Sequence, residues 1–320
     1  MIHSPWRILF FGTPFFAVPT LTGLLEGPDK VIGVVTQPDR KKGRGQRVRF
    51  SPVKEVVIED GGPEIVLYQP EKVKSESFQE SLRDLSPDLF VVSAYGQILP
   101  RSLLEIPKYG AVNVHASLLP KYRGAAPIPW AILKGEKVTG VTIMRMDEGM
   151  DTGDILSQRE LPIGEEETAE TLHDRLASLG ASVLLDTVIK IKKGEVTPVG
   201  QNHSEATYAP PLKKEDGRID WRREAQEIDR KVRAFNPWPG AYTLMDGHFL
   251  KILRGRVREG ESGEYAGRVL WTGTDFIEVG TGKDRFLIKE VQLEGKRRMG
   301  LREFLAGHPI PVGTMFELSQ

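Results

Sequence analysis

The sequence predicts an α/β fold in two parts: a mostly parallel sheet domain, then a smaller all-β domain. Three observations predict it. Apolar, β-branched runs of the kind buried on both faces alternate with helical spacing through residues 1–194. A stretch punctuated by Pro198, Gly200 and Asn202 interrupts that alternation over residues 195–208. Short β-like runs broken by frequent glycines then dominate residues 209–320. The expected division is a first domain at 1–194, a linker at 195–208 and a second domain at 209–320.

The elements follow in order. "RILFFG" (7–12) is a short buried-type strand closed by glycine, and "VPTLTGLLEG" (18–27) has the apolar spacing of a helix. "VIGVVT" (31–36) and "PEIVLY" (63–68) read as strands, with a helix expected near 75–84. "DLFVVSAYG" (88–96) is the next strand, and "GAVNVHAS" (110–117) follows a short helix near 101–105. "APIPWAILKG" (126–135) reads as a short helix, with prolines near its start and a glycine stop. "TGVTIMRMD" (139–147) and "GDILSQREL" (153–161) read as strands suited to pairing. Residues 167–194 read as a long amphipathic helix ending in lysines and glycine, as the negative end of a helix dipole favours. In the second part "EAQEIDRKVRAF" (224–235) is a helix, and the runs after it suggest a small barrel or sandwich. Trp221 and Trp238 read as packing residues rather than base-stacking platforms.

A chain of 320 residues accommodates two domains. Its 44 Lys and Arg balance 44 Asp and Glu, which argues against a uniformly basic nucleic-acid binder. There is no cysteine, so disulfides, thiolate nucleophiles and cysteine zinc sites are excluded. That composition fits a cytoplasmic protein. The opening "MIHSPWRILFFGTPFF" imitates a weak leader, but Gly12-Thr13-Pro14 interrupts the apolar run, so none is expected. No run of about 18 apolar residues occurs, so no membrane span is expected.

Asn113 and His115 are two residues apart on a strand, so they share a face. They fall at the carboxyl end of a parallel strand, where open α/β sheets bind ligands. Two polar side chains on one face of a buried strand need a partner or a ligand. "MDEGMDTGDIL" (146–156) sets Asp147, Asp151 and Asp154 among glycines, and spacing leaves open which of the three meets His115. The loop lacks EF-hand spacing and its closing glutamate, so no metal is expected. In "SLLPKYRG" (117–124), Pro120 restrains the backbone, and Leu118 and Leu119 could wall a flat apolar ligand. An Asn–His pair with a carboxylate, and no cysteine or G-x-S-x-G elbow, suits direct attack of a substrate amine on a carbonyl carbon. Asn and His would then donate to the developing oxyanion. The turn "FGTPFF" is not G-x-G-x-x-G and there is no P-loop, so neither NAD nor ATP is expected. "DRKKGRGQRVR" (39–49) reads as a mobile, glycine-spaced loop able to contact phosphate.

These stretches also resemble a known family. "FFGTPFFAVPTL" (10–21), "VVTQPDRKKGRGQ" (34–46), "VVSAYGQILP" (91–100), "NVHASLLPKYRGAAPI" (113–128), "TGVTIMRMDEGMDTGDIL" (139–156), "TYAPPLKKEDGRIDW" (207–221) and "RAFNPWPGAY" (233–242) are similar, almost end to end, to the methionyl-tRNA formyltransferases of the folate-dependent formyltransferase family. The resemblance implies a Rossmann-like first domain and an oligonucleotide-binding-like β-barrel after it. It implies formyl transfer from 10-formyltetrahydrofolate to the α-amino group of methionyl initiator tRNA. It assigns catalysis to Asn113, His115 and Asp151, and so selects among the three aspartates. It assigns folate contact to Ser117, Leu118, Leu119 and Pro120, with Tyr95, Gly96, Ile98 and Leu99 lining the same pocket. Arg40, Lys41, Lys42, Arg44 and Arg47 inherit contact with the tRNA acceptor end. Lys251, Arg254 and Arg256, a basic run without an intervening acid, are expected to add to it.

The implied partners are therefore initiator methionyl-tRNA and the folate co-substrate, for a cytoplasmic monomer without metal or NAD. Three other readings compete. The same first domain could formylate a sugar-nucleotide amine, or hydrolyse 10-formyltetrahydrofolate. An RNA-binding module on an inactive α/β domain would lack the Asn–His–Asp set, which is present here.

Overall fold

The computed structural model describes residues 4–42, 47–245, 247–261 and 265–317, and the backbone alone of residues 41, 42, 47 and 48. The chain divides into two units. The first comprises Met1–Pro127, Val138–Pro162 and His173–Ala209, and the second Ile128–Lys137, Ile163–Leu172 and Pro210–Gln320.

In chain order the elements begin with β1 (Arg7–Gly12), α1 (Val18–Leu25), β2 (Lys30–Val35), β3 (Arg40–Lys42), β4 (Arg47–Arg49), α2 (Pro52–Asp60) and β5 (Val66–Tyr68). They continue with α3 (Glu76–Asp84), β6 (Leu89–Ser93), α4 (Arg101–Leu104), β7 (Ala111–His115), α5 (Pro127–Lys134), β8 (Val138–Arg145), β9 (Ile155–Pro162) and α6 (Ala169–Lys193). Seven of these strands form one sheet in the order β5-β2-β1-β6-β7-β8-β9. The first five run parallel, and β8 and β9 are antiparallel additions that pair with each other as their sequences suggest. Strand order reverses between β1 and β6, and the crevice at such a reversal is where parallel sheets bind ligands.

The apolar runs explain the burial. Leu9, Phe11, Phe90 and Val92 lie at or below 5% exposure and pack with Phe78, Leu82 and Leu103 into one core. Gly180 lets α6 lie close to the sheet, since a β-carbon there would stand 2.7 Å from Val114 Cγ1 of β7. That contact holds the strand carrying Asn113 and His115 from behind.

Three segments differ from the sequence reading. The basic stretch at 39–49, expected as a loop, contains a short hairpin in which β3 and β4 pair antiparallel, Arg40 opposite Arg49. Beside it α2 was not expected, although its start is legible. Ser51 caps Lys54 N and Pro52 occupies the first turn, as helix starts prefer. Residues 195–208, which read as a linker, fall within unit 1, with bridges from Val199 to Ile155 and from Tyr208 to Arg123.

Unit 2 adds α7 (Ala225–Ala234), β10 (Ala241–Met245), β11 (His248–Arg258), β12 (Val269–Thr272), β13 (Ile277–Gly280), β14 (Arg285–Leu293), β15 (Met299–Gly300) and α8 (Leu301–Gly307). Its strands form an antiparallel sheet in the order β10-β11-β14-β13-β12, with β15 on β14. The core centres on Trp221, which stacks on Phe316 and donates its indole N–H to Thr243 Oγ1 at 3.0 Å. Trp221→Ala is expected to cost about 3–5 kcal/mol through the cavity it leaves, read as an earlier chemical-denaturation transition. Trp238, expected to pack, is instead 57% exposed.

Irregularities in β11 decide where its basic residues point. Register shifts flank Arg254. Before them Leu250 and Ile252 face the core, and after them Val257 does. The extra residue flips the strand's alternation, so Lys251, Arg254, Arg256 and Arg258 all lie off the core-facing side.

Candidate active site

β7 ends at the centre of the sheet, between β6 and β8. Asn113 lies opposite Val92 of β6 and Met144 of β8, and His115 opposite Thr142. Alternation puts both side chains on one face. His115 is 6% exposed, and its Nε2–H donates to Tyr122 O at 3.0 Å. That bond fixes the ring's proton at Nε2, so Nδ1 is the nitrogen left to gain or lose one. Asn113 is half-buried, and its carboxamide has no hydrogen bond among the described residues.

The loop after β8 supplies the carboxylate. Asp151 Oδ2 lies 3.7 Å from His115 Nδ1 and accepts Gly124 N–H at 2.8 Å. A separation of 3.7 Å is an ionic contact and too long for a hydrogen bond, so a protonated Nδ1 keeps its N–H available to a ligand. The other two aspartates do other things. Asp147 caps its own turn, accepting Gly149 N–H and the Thr152 hydroxyl, and Asp154 is exposed. Asp151 sits at φ +54°, a left-handed conformation uncommon outside Gly, Asn and Asp.

The loop 117–120 is locked by its neighbours. Thr142 Oγ1 donates to Ser117 O at 2.7 Å and accepts Leu119 N–H at 3.0 Å. Gln158 Nε2 reaches Leu119 O and Thr142 Oγ1, both at 2.8 Å. Ser117 donates to Lys121 O, and Leu119–Pro120 is a cis peptide. Leu118 is half-buried and lies over Gly140.

At the strand reversal, Thr13 Oγ1 donates to Tyr95 O at 3.0 Å, joining the ends of β1 and β6. Tyr95 and Leu99 are buried in the core cluster, Gly96 turns at φ +92°, and Ile98 is 71% exposed. The Tyr95 hydroxyl is buried with no hydrogen-bond partner among the described residues, and burial pushes its pKa well above the usual phenol range. Phe15, just after β1, is also exposed, so apolar surface stands on both sides of the crevice.

The expected tRNA-contacting residues lie in two separate places. Arg40 is exposed at the start of the hairpin; Arg44 lies outside the described residues, and the side chains of Lys41, Lys42 and Arg47 are not described. The base of this segment is pinned by Thr36 Oγ1 against Ser51 Oγ and by Asp39, which accepts from Lys54 and Gln69. Burial pushes the Asp39 carboxyl up, but those two hydrogen bonds and the Lys54 charge outweigh it and hold its pKa below the usual range. In unit 2, Arg254 and Arg256 both reach Glu166, at 3.6 and 3.1 Å.

Spacing alone gave no hint of several residues at the site. Arg123 and Gln201 are buried beside the Asp151 loop, and Thr142 and Gln158 lock the 117–120 loop. A basic residue after an apolar loop was the one available signal for Arg123; a lone Gln in a Pro- and Gly-rich stretch gave none for Gln201. Among the described residues, no group of three or more His, Cys, Asp or Glu is arranged to hold a metal ion. No helix among them is long and apolar enough to cross a membrane.

A histidine paired with a carboxylate beside an open carboxamide, at the carboxyl end of a parallel strand, is an arrangement suited to a group transferase, in a chain without cysteine. The comparisons give the family. Residues 6–188 match the formyl transferase family and residues 211–309 match its C-terminal domain, and the chain belongs to that family. It is 51% identical over 312 residues to a methionyl-tRNA formyltransferase of Caldanaerobacter subterraneus subsp. tengcongensis, covering 97% of this chain and 100% of that one. It is 51% identical over 308 residues to one of Geobacter sulfurreducens, covering 96% of each. Among solved structures, WlaRD, a sugar 3N-formyl transferase, superposes with a TM-score of 0.66 at 21% identity, over 92% of this chain and 100% of that one. HypX from Aquifex aeolicus in complex with tetrahydrofolic acid superposes with a TM-score of 0.62 at 20% identity, over 99% of this chain. This chain spans about half of HypX, 51% of its length.

Proposed function

We propose that this protein transfers the formyl group of 10-formyltetrahydrofolate to the α-amine of methionyl initiator tRNA, in the cytoplasm and as a monomer. One observation carries the chemistry: His115 and Asp151 meet at 3.7 Å, on the strand face that also carries the Asn113 carboxamide, which has no hydrogen bond among the described residues. Full-length identity to methionyl-tRNA formyltransferases supports the choice of substrates.

The reaction breaks the bond from the formyl carbon to N10 and forms one to the amine nitrogen. Asn113 Nδ2 and a protonated His115 Nδ1 donate to the oxyanion as it develops. Asp151 pairs with His115 across 3.7 Å. Its Oδ1, left free by the Gly124 contact to Oδ2, takes the proton the amine loses, directly or through one water. N10 leaves with a proton passed on from Asp151, directly or through that water, so the proton that the amine gives up is the one N10 takes and Asp151 ends ionised again. The locked loop 117–120 and the apolar side chains at the strand reversal suit a flat ring system. Arg40, Arg44 and the neighbouring basic side chains hold the acceptor's phosphates, and Lys251, Arg254 and Arg256 add contacts along it.

The test is an acceptor panel with one formyl donor: charged initiator tRNA, charged elongator tRNA, an amino-sugar nucleotide and water. Initiator tRNA is expected to be formylated fastest. Faster formylation of the sugar nucleotide, or hydrolysis alone, would overturn the reading. Neutralising Arg40 and Arg44 together is expected to raise KM for the tRNA and leave KM for the folate unchanged. The salt dependence of the tRNA KM should lose about two units of logarithmic slope. Steady-state kinetics at several salt concentrations check this.

A further inference from the structure

We infer that Gln201, braced by the buried Arg123, is a positioning residue that sets the Asp151 carboxylate against His115. The inference rests on the proposed role of Asp151. Gln201 Nε2 donates to Asp151 O at 2.9 Å and to Gly153 O at 2.7 Å. Its Oε1 accepts from Arg123 Nε at 3.2 Å and Nη2 at 2.6 Å. One amide therefore ties the turn at Asp151 to the guanidinium of the residue preceding Gly124. Gly124 in turn gives its N–H to the Asp151 carboxylate, which closes the circuit.

Two features argue that this is more than packing. Arg123 is 2% exposed, yet its acceptors are neutral, Gln201 Oε1 and His203 Nδ1. A buried guanidinium with no carboxylate partner among the described residues is costly, whereas an apolar residue would fill the space more cheaply. The turn it steadies holds Asp151 at φ +54°, which aspartate adopts more readily than most residues, and both carbonyls that flank the turn, Asp151 O and Gly153 O, are held by the one Gln201 amide. The supporting chain is laced as well. Thr207 Oγ1 accepts Tyr122 N–H at 2.9 Å, Thr207 O accepts Arg123 N–H at 2.8 Å, and Ala209 N–H donates to Arg123 O at 2.7 Å. Tyr122 O is also the acceptor for His115 Nε2. Residues 199–209 thus clasp both partners of the ion pair, His115 through Tyr122 and Asp151 through Gln201.

Gln201→Glu separates positioning from folding. A glutamate keeps the acceptor for Arg123 and gives it a carboxylate partner, but removes the N–H that holds the Asp151 turn. The expected result is a kcat lower by roughly 10- to 100-fold, the scale of a small misplacement of a reacting group. Both KM values stay near wild type and the protein stays folded at the assay temperature, with a melting temperature lowered by the two carbonyls left without a donor, and the NMR signal of the Gly124 amide moves as its carboxylate acceptor shifts. Gln201→Met, with neither donor nor strong acceptor, should lose at least as much kcat. An unchanged kcat in Gln201→Glu, or a loss matched by a fall in the folded fraction, would overturn the inference. If the wild-type protein formylates no amine, the functional reading fails instead, and the Gly124 signal still tells whether Gln201 places Asp151.

Discussion

Asp151→Asn is expected to lower the single-turnover rate of formyl transfer by about 10²–10⁴, the range for losing a positioned acid–base group. The substitution removes little else. Asparagine tolerates the left-handed backbone at this position and its amide oxygen can still accept Gly124 N–H. The charge facing His115 Nδ1 is lost, together with the basic oxygen that receives the amine's proton. Folate binding should not change. Asp151→Ala should be worse in stability as well as rate, because it also strands the Gly124 N–H and puts alanine at φ +54°. A single-turnover rate for Asp151→Asn close to wild type would remove Asp151 from the chemistry.

Asn113→Ala comes second, with an expected loss of about 10²–10³ in kcat, the cost of one oxyanion donor. The side chain makes no hydrogen bond within the protein among the described residues, so its removal leaves nothing unpaired. Its neighbours on the strand, Val112 and Val114, are buried and keep β7 in place. Stability should therefore hold while kcat falls, and KM for both substrates should stay put. Rapid-quench measurement of one turnover separates this from slow product release. A loss in KM with kcat preserved would mean that Asn113 binds a ground state instead.

Much of the fold was legible because burial on both faces leaves a strong sequence trace. "RILFFG", "DLFVVSAYG" and "GAVNVHAS" became β1, β6 and β7 within a few residues, as runs without polar alternation require. The pairing of β3 with β4 carried no such trace, since the stretch 39–49 is a glycine-spaced basic run without the apolar content that marks a buried strand. At the site, Asn113 and His115 were legible from period two on one strand. The choice among Asp147, Asp151 and Asp154 was not, because it depends on a turn that spacing does not encode; geometry gives His115 to Asp151. Gln201 was hidden for a deeper reason. Pro and Gly nearby mark a break in regular structure, but they do not reveal whether that segment is free or pinned. Its pinning comes from side-chain bonds to residues about 50 and 78 positions away, beyond any local pattern.

In the proposed mechanism Asn113, His115 and Asp151 act on one formyl carbon at the same moment. The most direct measurement is the single-turnover rate of the Asn113→Ala/Asp151→Asn double variant beside the two single variants. Groups that serve one transition state lose their effect together, so the double variant should be little slower than the slower single. A rate reduced by the full product of the two separate losses would contradict the claim.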